Sequence, residues 1–334
     1  MPDPFLLPLS IGGIPINPAL ALAPMAEFTH AAFRELVADF GGCGLYYTEM
    51  LNARMVATQP LKNDPYCRIG EKAKPLAAQL LGNDPAKMAL SARRLVEAGF
   101  DGIDINMGCS RQRIMRFGWG LALMEDPDQT QRVVDAVRAS IEVPLLIKIR
   151  SGKKHTPEKL LAFCHRLAGS GVDAICLHPR SAEDGFKRPA RWQEIGQLVA
   201  ALPIPVIGNG DLATKKDVLT MFRATGCEAV MVGRAALIRP WLFAEISKGY
   251  IWNQDMGSLL ERFVLLLEHY LPSEMVAGRF LLFCSWFFRN WPFYQPMFNA
   301  VRKCQTLSRM IETAVAFVNH SDLKMLQQPF VGKL

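Results

Sequence analysis

The chain has 334 residues, and its eight cysteines form no Cys-x-x-Cys pair, so the commonest zinc and dithiol patterns are missing. Several of the eight fall inside apolar segments. They are expected to be free thiols of a reducing, cytoplasmic compartment rather than a disulfide set, with no metal bound. No apolar run is long enough for a membrane: "FLLFCSWFF" (280–288) is bracketed by Arg279 and Arg289, far short of the roughly 20 residues a bilayer span requires. The opening "MPDPFLLPLSIGGIP" carries an acid and several prolines where a secretory signal has basic and then unbroken apolar residues, so no signal peptide is expected. No Gly-x-Gly-x-x-Gly opens a helix after the first β-type run. "GWG" at 118–120 lacks the third glycine, which weighs against an open doubly wound dinucleotide fold.

What is present is a core-forming composition, 50% hydrophobic, and a repeated pattern. Eight short β-type runs recur: "LALAPMA" (20–26), "GLYYTEM" (44–50), "PLAAQLLG" (75–82), "GIDINMGC" (102–109), "LLIKIRSG" (145–152), "AICLHPRS" (174–181), "PVIGNGDL" (205–212) and "AVMVGRAAL" (229–237). Stretches such as 85–99 and 128–140 between them repeat apolar residues at helical spacing. Alternating strand and helix units of this number predict a closed parallel (β/α)8 TIM barrel, α/β in class. Past residue 243 the pattern becomes purely helical and aromatic. The predicted organisation is a barrel over 1–243 and a small all-helical domain over 244–334.

Such barrels carry their chemistry at the C-terminal strand ends. Those ends place Pro24, Met25, Glu49, Gln79, Asn106, Cys109, Lys148, Arg150, His178, Arg180, Asn209, Asp211, Gly233 and Arg234 around one mouth. The glycines of "GNGDL" and "VGRAAL" suit close approach of a phosphate to backbone N–H groups. Cys109 follows a β-type run and precedes Arg111, Arg113 and Arg116; a reactive thiol and a small core residue at a turn are both open readings. The formal net charge is +7, of which residues 245–334 contribute only two. Basic residues cluster after three strands: Arg111/Arg113/Arg116, Arg150/Lys153/Lys154 and Lys187/Arg188/Arg191. They read either as solvated loop charge or as an anion-binding rim. Most residues of "RFLLFCSWFFRNWPFYQPMF" (279–298) read as bundle core; the alternative is a nucleic-acid surface in which the aromatics interleave with Arg279, Arg289, Arg302, Lys303 and Arg309.

In register, "APMA", "FREL", "TEM", "AAQLLG", "DINMGC", "IKIRSG", "LHPRS", "IGNGDL" and "GCEAVMVGRAALIRPWLF" follow one another with an order and spacing similar to the tRNA-dihydrouridine synthases. Members of that family are FMN enzymes that reduce a uridine of tRNA with NADPH or NADH. The resemblance implies that Pro24, Met25 and Ala26 lie against the flavin, and that Gln79, Lys148 and His178 bond its ring or ribityl atoms. Asn209, Gly210, Asp211, Gly233 and Arg234 would take its phosphate end. Cys109 would be the proton donor, since a thiol with an ordinary pKa of roughly 8.5 is mostly protonated at neutral pH. Asn106, Arg111, Arg113 and Arg116 would meet substrate and RNA. The other seven cysteines are expected to be core residues, and no further protein partner is implied.

Two departures fall on the substrate side. The family's "GCP" with a lysine four residues after the cysteine is here "GCS" with Arg113, and its "HGR" is "HPR" with Pro179. Two other classes share parts of the pattern: a small-molecule FMN reductase of the dihydroorotate dehydrogenase kind, and a non-catalytic RNA-binding flavoprotein. The first has no use for a basic rim and an aromatic tail, and the second no use for Cys109.

Overall fold

The computed structural model describes residues 3–152, 156–185, 187–251 and 255–320. Eight parallel strands form one sheet: β1 (Leu20–Leu22), β2 (Tyr46–Asn52), β3 (Leu76–Leu81), β4 (Gly102–Met107), β5 (Leu145–Arg150), β6 (Ala174–His178), β7 (Val206–Asn209) and β8 (Ala229–Val232). Neighbours in sequence are neighbours in space. β8 pairs in parallel with β1, and the bridge Ala21↔Leu45 joins β1 to the start of β2, closing the ring. Seven of the strands lie inside the runs read from the sequence, β2 continues two residues past its run to Asn52, and the fold is the expected (β/α)8 barrel. The strands of such a barrel are covered on both faces, which is why β3 and β4 are buried along their whole length.

The outer helices begin where side chains satisfy their first N–H groups. Asp84, Asp126 and Thr156 accept from Lys87, Gln129 and Lys159, each ahead of a proline in the first turn. Thr214 and Asp217 form a reciprocal capping box, and Gly226 ends that helix in the left-handed conformation, φ 70°. These are the positions at which a cap and a proline cost the helix nothing. The opposite end of the barrel is closed by a hairpin, Ser10–Ile11 with Ile14–Pro15, whose Ile11 and Ile14 face Leu45, Gly102, Pro144 and Leu146 across a small cavity.

The helix Leu242–Lys248 runs across the expected division at 243/244. Beyond it come the helices Met256–Tyr270, Ser273–Phe287, Gln295–Lys303 and Leu307–His320. Phe280, Phe283, Phe287, Phe288 and Trp291 are buried among them, so most of the aromatic stretch is bundle core. Phe263 and Phe283 also pack on Phe33 of the barrel helix Ala31–Phe40, and Arg262 bonds Asp39 at 3.0 Å. Among the described residues no helix is long and apolar enough to cross a membrane.

Candidate active site

Barrel interiors of this type are dominated by branched aliphatic side chains. Here the two-residue repeat of the strands places Gln79, Asp104, Lys148 and Asn209 in the interior instead. Gln79 Nε2 donates to Asp104 Oδ2 at 2.6 Å, and Asn106 Nδ2 donates to Gln79 Oε1 at 2.8 Å. Asn106 Oδ1 in turn accepts from the backbone N–H groups of Gly108 (3.3 Å) and Cys109 (3.0 Å). A line of hydrogen bonds thus runs from a buried carboxyl to the backbone of the cysteine. Lys148 Nζ donates to Asn209 Oδ1 at 3.0 Å, and Asn209 Nδ2 to the Met231 carbonyl at 2.7 Å.

Burial sets the charge states of this floor. It pushes the Asp104 carboxyl up to about 7, against the Gln79 hydrogen bond and the Lys148 charge, and lowers Lys148. His178 is lowered far below its ordinary value, first by burial and then by Lys148, Arg150, Arg180 and Arg234, so its ring is neutral. Arg180 Nη1 lies 3.1 Å from His178 Nε2; because a guanidinium only donates, that nitrogen is the acceptor.

Three loops shape the mouth. After β1, Thr29 Oγ1 accepts from Met25 N–H at 2.9 Å, and the Glu49 carboxylate accepts from the N–H of Glu27, which sits at φ 76°. Arg279 of the helical tail donates to the Glu27 carbonyl (3.2 Å) and the Tyr66 hydroxyl (3.0 Å). After β7, Gly210 has φ 119°, and a Cβ there would lie 2.9 Å from Ala190 Cβ and 3.0 Å from His178 Cδ2. Asp211 is gripped by Arg180 Nη2 at 2.6 and 2.8 Å and by Ala190 N–H at 2.7 Å. After β4, Cys109 is half-buried. Leu121 N–H donates to its carbonyl at 3.0 Å, and a Cβ on Gly120 would come within 2.7 Å of that oxygen.

These loops enclose one cavity. Pro24, Met25, Ala26, Asn106, Cys109, Arg111, Lys148, His178, Asn209, Gly210, Asp211, Gly233 and Arg234 all line it. Of the residues given a catalytic, flavin or RNA role from sequence, three do not, and of the other strand-end residues Glu49 and Arg180 stay outside its lining. Gln79 is fully buried behind Asn106 with both ends of its amide engaged, and Arg113 and Arg116 are exposed on the rim. Arg150, Met50 and Met231 line the cavity without having been assigned a role. Arg150 lies two residues after Lys148, so the strand repeat that turns one inward turns the other inward as well. A second cavity, lined by residues that include Asn52, Met55, Gln59, Asn63 and Tyr66, shares Met50 with the first.

The basic clusters divide. Arg191 bonds Asp184 at 2.6 Å and also pairs with Glu194, and Arg188 lies 3.5 Å from Asp184, so two members of this cluster are tied into the loop. Lys153 and Lys154 lie outside the described residues. In the tail, Arg279 holds the β1 loop and Arg309 pairs with Glu312 at 2.8 Å. Six cysteines other than Cys109 are buried, and burial raises every one of those thiols. Cys304 differs from the core expectation in being half-buried.

Solved structures share this architecture at low identity. Morphinone reductase in complex with tetrahydroNAD superposes with a TM-score of 0.54 at 14% identity, over 78% of this chain and 94% of its own. A 2-naphthoyl-CoA reductase complex gives 0.58 at 10% identity, over 75% of this chain and 53% of its own. These likenesses define a (β/α)8 barrel. The family follows from sequence: the dihydrouridine synthase model matches residues 21–322, and the chain belongs to the dihydrouridine synthase family of enzymes. The tRNA-dihydrouridine synthase B of Pseudomonas syringae pv. tomato is 32% identical over 270 residues, 80% of each chain. That of Xanthomonas campestris pv. campestris is 35% identical over 241 residues, 72% of each.

Proposed function

We propose that the protein reduces a specific uridine of tRNA to 5,6-dihydrouridine with FMN as its cofactor and NADPH or NADH as the reductant. The observation that carries this reading is the cavity itself, which Cys109 shares with the residues suited to a flavin and in which it lies opposite the strand end suited to the flavin phosphate. Cys109 follows β4 and Gly233 follows β8, four strands apart in a ring of eight.

The residues present fit FMN. Ala23, Pro24, Met25 and Ala26 give a weakly polar wall for a flat ring, and Lys148 and neutral His178 give a donor floor. Gly210 leaves room that any side chain would fill. Arg234 stands at the same end with Asn209 and Gly233, where a phosphate would be neutralised. Asp211 contributes its backbone there, since its carboxylate is held by Arg180. Gln79 supports the site through Asn106.

Bound FMN, reduced by the nicotinamide, supplies the hydride that adds to carbon 6 of the uracil. The electron pair of the 5,6 double bond then moves toward carbon 5 and the carbon-4 carbonyl, and Cys109 donates the proton that completes the carbon 5–hydrogen bond. Asn106 fixes the backbone from which that thiol projects. A uridine stacked in folded RNA cannot enter the mouth, so the nucleotide is flipped out at a cost of a few kcal/mol. Arg111, Arg113 and Arg116 hold the RNA on the rim and offset that cost.

Cys109→Ala tests the assignment. The variant is expected to keep its flavin absorbance and its reduction by NADPH while forming no dihydrouridine in tRNA. Dihydrouridine formation at a near wild-type rate would remove Cys109 from the chemistry.

A further inference from the structure

The turn that carries "GWG" has no part in the chemistry above, yet side chains from two loops hold it in place. Trp119 Nε1 donates to Asn83 Oδ1 at 3.0 Å, and Asn83 Nδ2 donates back to the Phe117 carbonyl at 3.1 Å. Between them Gly118 sits at φ 74°. The result is a column of four flat groups on the rim of the mouth. Arg116 Cζ lies 4.7 Å from the centroid of Phe117. Phe117 and Trp119 are 5.1 Å apart and tilted by 33°, and Arg54 Cζ lies 5.1 Å from the centroid of Trp119.

Trp119 is buried, but Phe117 is 42% exposed and both arginines are exposed. Neither Arg54 nor Arg116 pairs with a carboxylate among the described residues, and each guanidinium carbon lies over an aromatic ring. Arg54 begins in the helix after β2 and Arg116 follows the short helix after β4, so the column ties two mouth loops together next to Cys109. Bases of unpaired RNA stack on aromatic rings and on guanidinium planes, while the arginine charge attracts the adjoining phosphates.

We propose that the Arg116–Phe117–Trp119–Arg54 column is a stacking platform for a base of the RNA that neighbours the flipped uridine. It rests on the reading of the protein as a tRNA-modifying enzyme and adds a second point at which an unstacked nucleotide is held. Arg116 acts here as a plane as well as a charge.

The test uses the flavin-loaded, full-length protein and measures tRNA affinity against salt, with intact tRNA and with transcripts carrying one abasic nucleotide at each loop position in turn. Phe117→Ala, which removes the ring that Arg116 lies on and breaks the platform, is expected to weaken binding roughly five- to 150-fold, the range of one base stack, with an unchanged salt slope because no charge is removed. Phe117→Tyr restores affinity. Arg116→Lys, which keeps the charge but not the plane, weakens binding with the slope preserved. One abasic position costs the wild type the same factor and costs Phe117→Ala nothing further. Affinity of Phe117→Ala within two-fold of wild type overturns the proposal, as does full affinity of Arg116→Lys or the absence of any abasic position coupled to Phe117. Should Phe117→Ala lose its flavin or its fold, the Arg116→Lys arm and the wild-type abasic series decide. Absence of tRNA binding and of dihydrouridine formation by the wild type would instead remove the underlying reading.

Discussion

At the scale of single residues, the interior carboxyl Asp104 is the least ordinary group in the barrel. Its Oδ1 atom has no hydrogen-bond partner, and burial raises its pKa to about 7. A carboxyl whose folded pKa exceeds its unfolded value of roughly 3.9 binds more protons folded than unfolded between those two values. Its contribution to stability is therefore fully present below pH ~4 and is lost as pH rises through 7. Asp104→Asn keeps an oxygen for Gln79 and removes the titration. The variant is expected to gain on the wild type by on the order of a few kcal/mol between pH 4 and 8, read as the difference of their denaturant midpoints across that range. Parallel pH profiles for the two proteins would show that Asp104 is ionised throughout. Gly210 gives a second residue-scale expectation. Its positive φ and the 2.9 Å approach to Ala190 Cβ leave no place for a methyl group, so Gly210→Ala should purify with much reduced flavin content at nearly unchanged helical circular dichroism.

At the scale of elements, the segment after β4 does two jobs with one short stretch of chain. Its first half presents Arg111 and Arg113 to solvent, with no carboxylate partner among the described residues. Its second half packs Gly120 against the backbone of Cys109. The double variant Arg111→Ala/Arg113→Ala is expected to lower the slope of log affinity against log salt by about 1.4 to 1.8, at 0.7 to 0.9 for each phosphate no longer neutralised, with flavin content unchanged. An unaltered slope would return both residues to solvated loop charge. Gly120→Ala acts differently: at φ 61° and 2.7 Å from the Cys109 carbonyl oxygen, the added methyl pushes on backbone that cannot yield. Flavin reduction should persist while dihydrouridine formation falls at least ten-fold.

At the scale of the whole molecule, barrel and tail share a core. Phe33 of the barrel meets Phe263 and Phe283 of the tail, and the two tail rings are 4.4 Å apart. Arg279 reaches from the tail to the loop after β1 that walls one side of the cavity. Ending the chain after Gly249 would bare this apolar seam, and patches of that kind drive association. The truncated chain is expected to elute as an aggregate in size-exclusion chromatography. A monodisperse yellow barrel would show that the tail serves RNA alone. Within the full chain, Phe263→Ala should cost about 3–5 kcal/mol, the usual loss for a buried ring that leaves a cavity behind.

The sequence by itself determined the barrel. Eight β-type runs such as "GIDINM" and the Asp-Pro helix starts at Asp84 and Asp126 are local signals, because caps and two-residue repeats act over a few positions. It also determined most of the cavity, since residues at equivalent strand ends must converge once the ring closes. Only the tertiary structure decided what touches what across strands. That Gln79 faces Asp104 and Asn106 rather than the cavity, that Arg180 rather than an anion holds Asp211, and that Arg279 serves a barrel loop depend on register and on contacts between residues up to 252 positions apart. The aromatic column has the same origin. Phe117 and Trp119 are legible as a pair, but the approach of Arg54 from another loop is set by the packing of β2 beside β3 and β4, where no local pattern reaches.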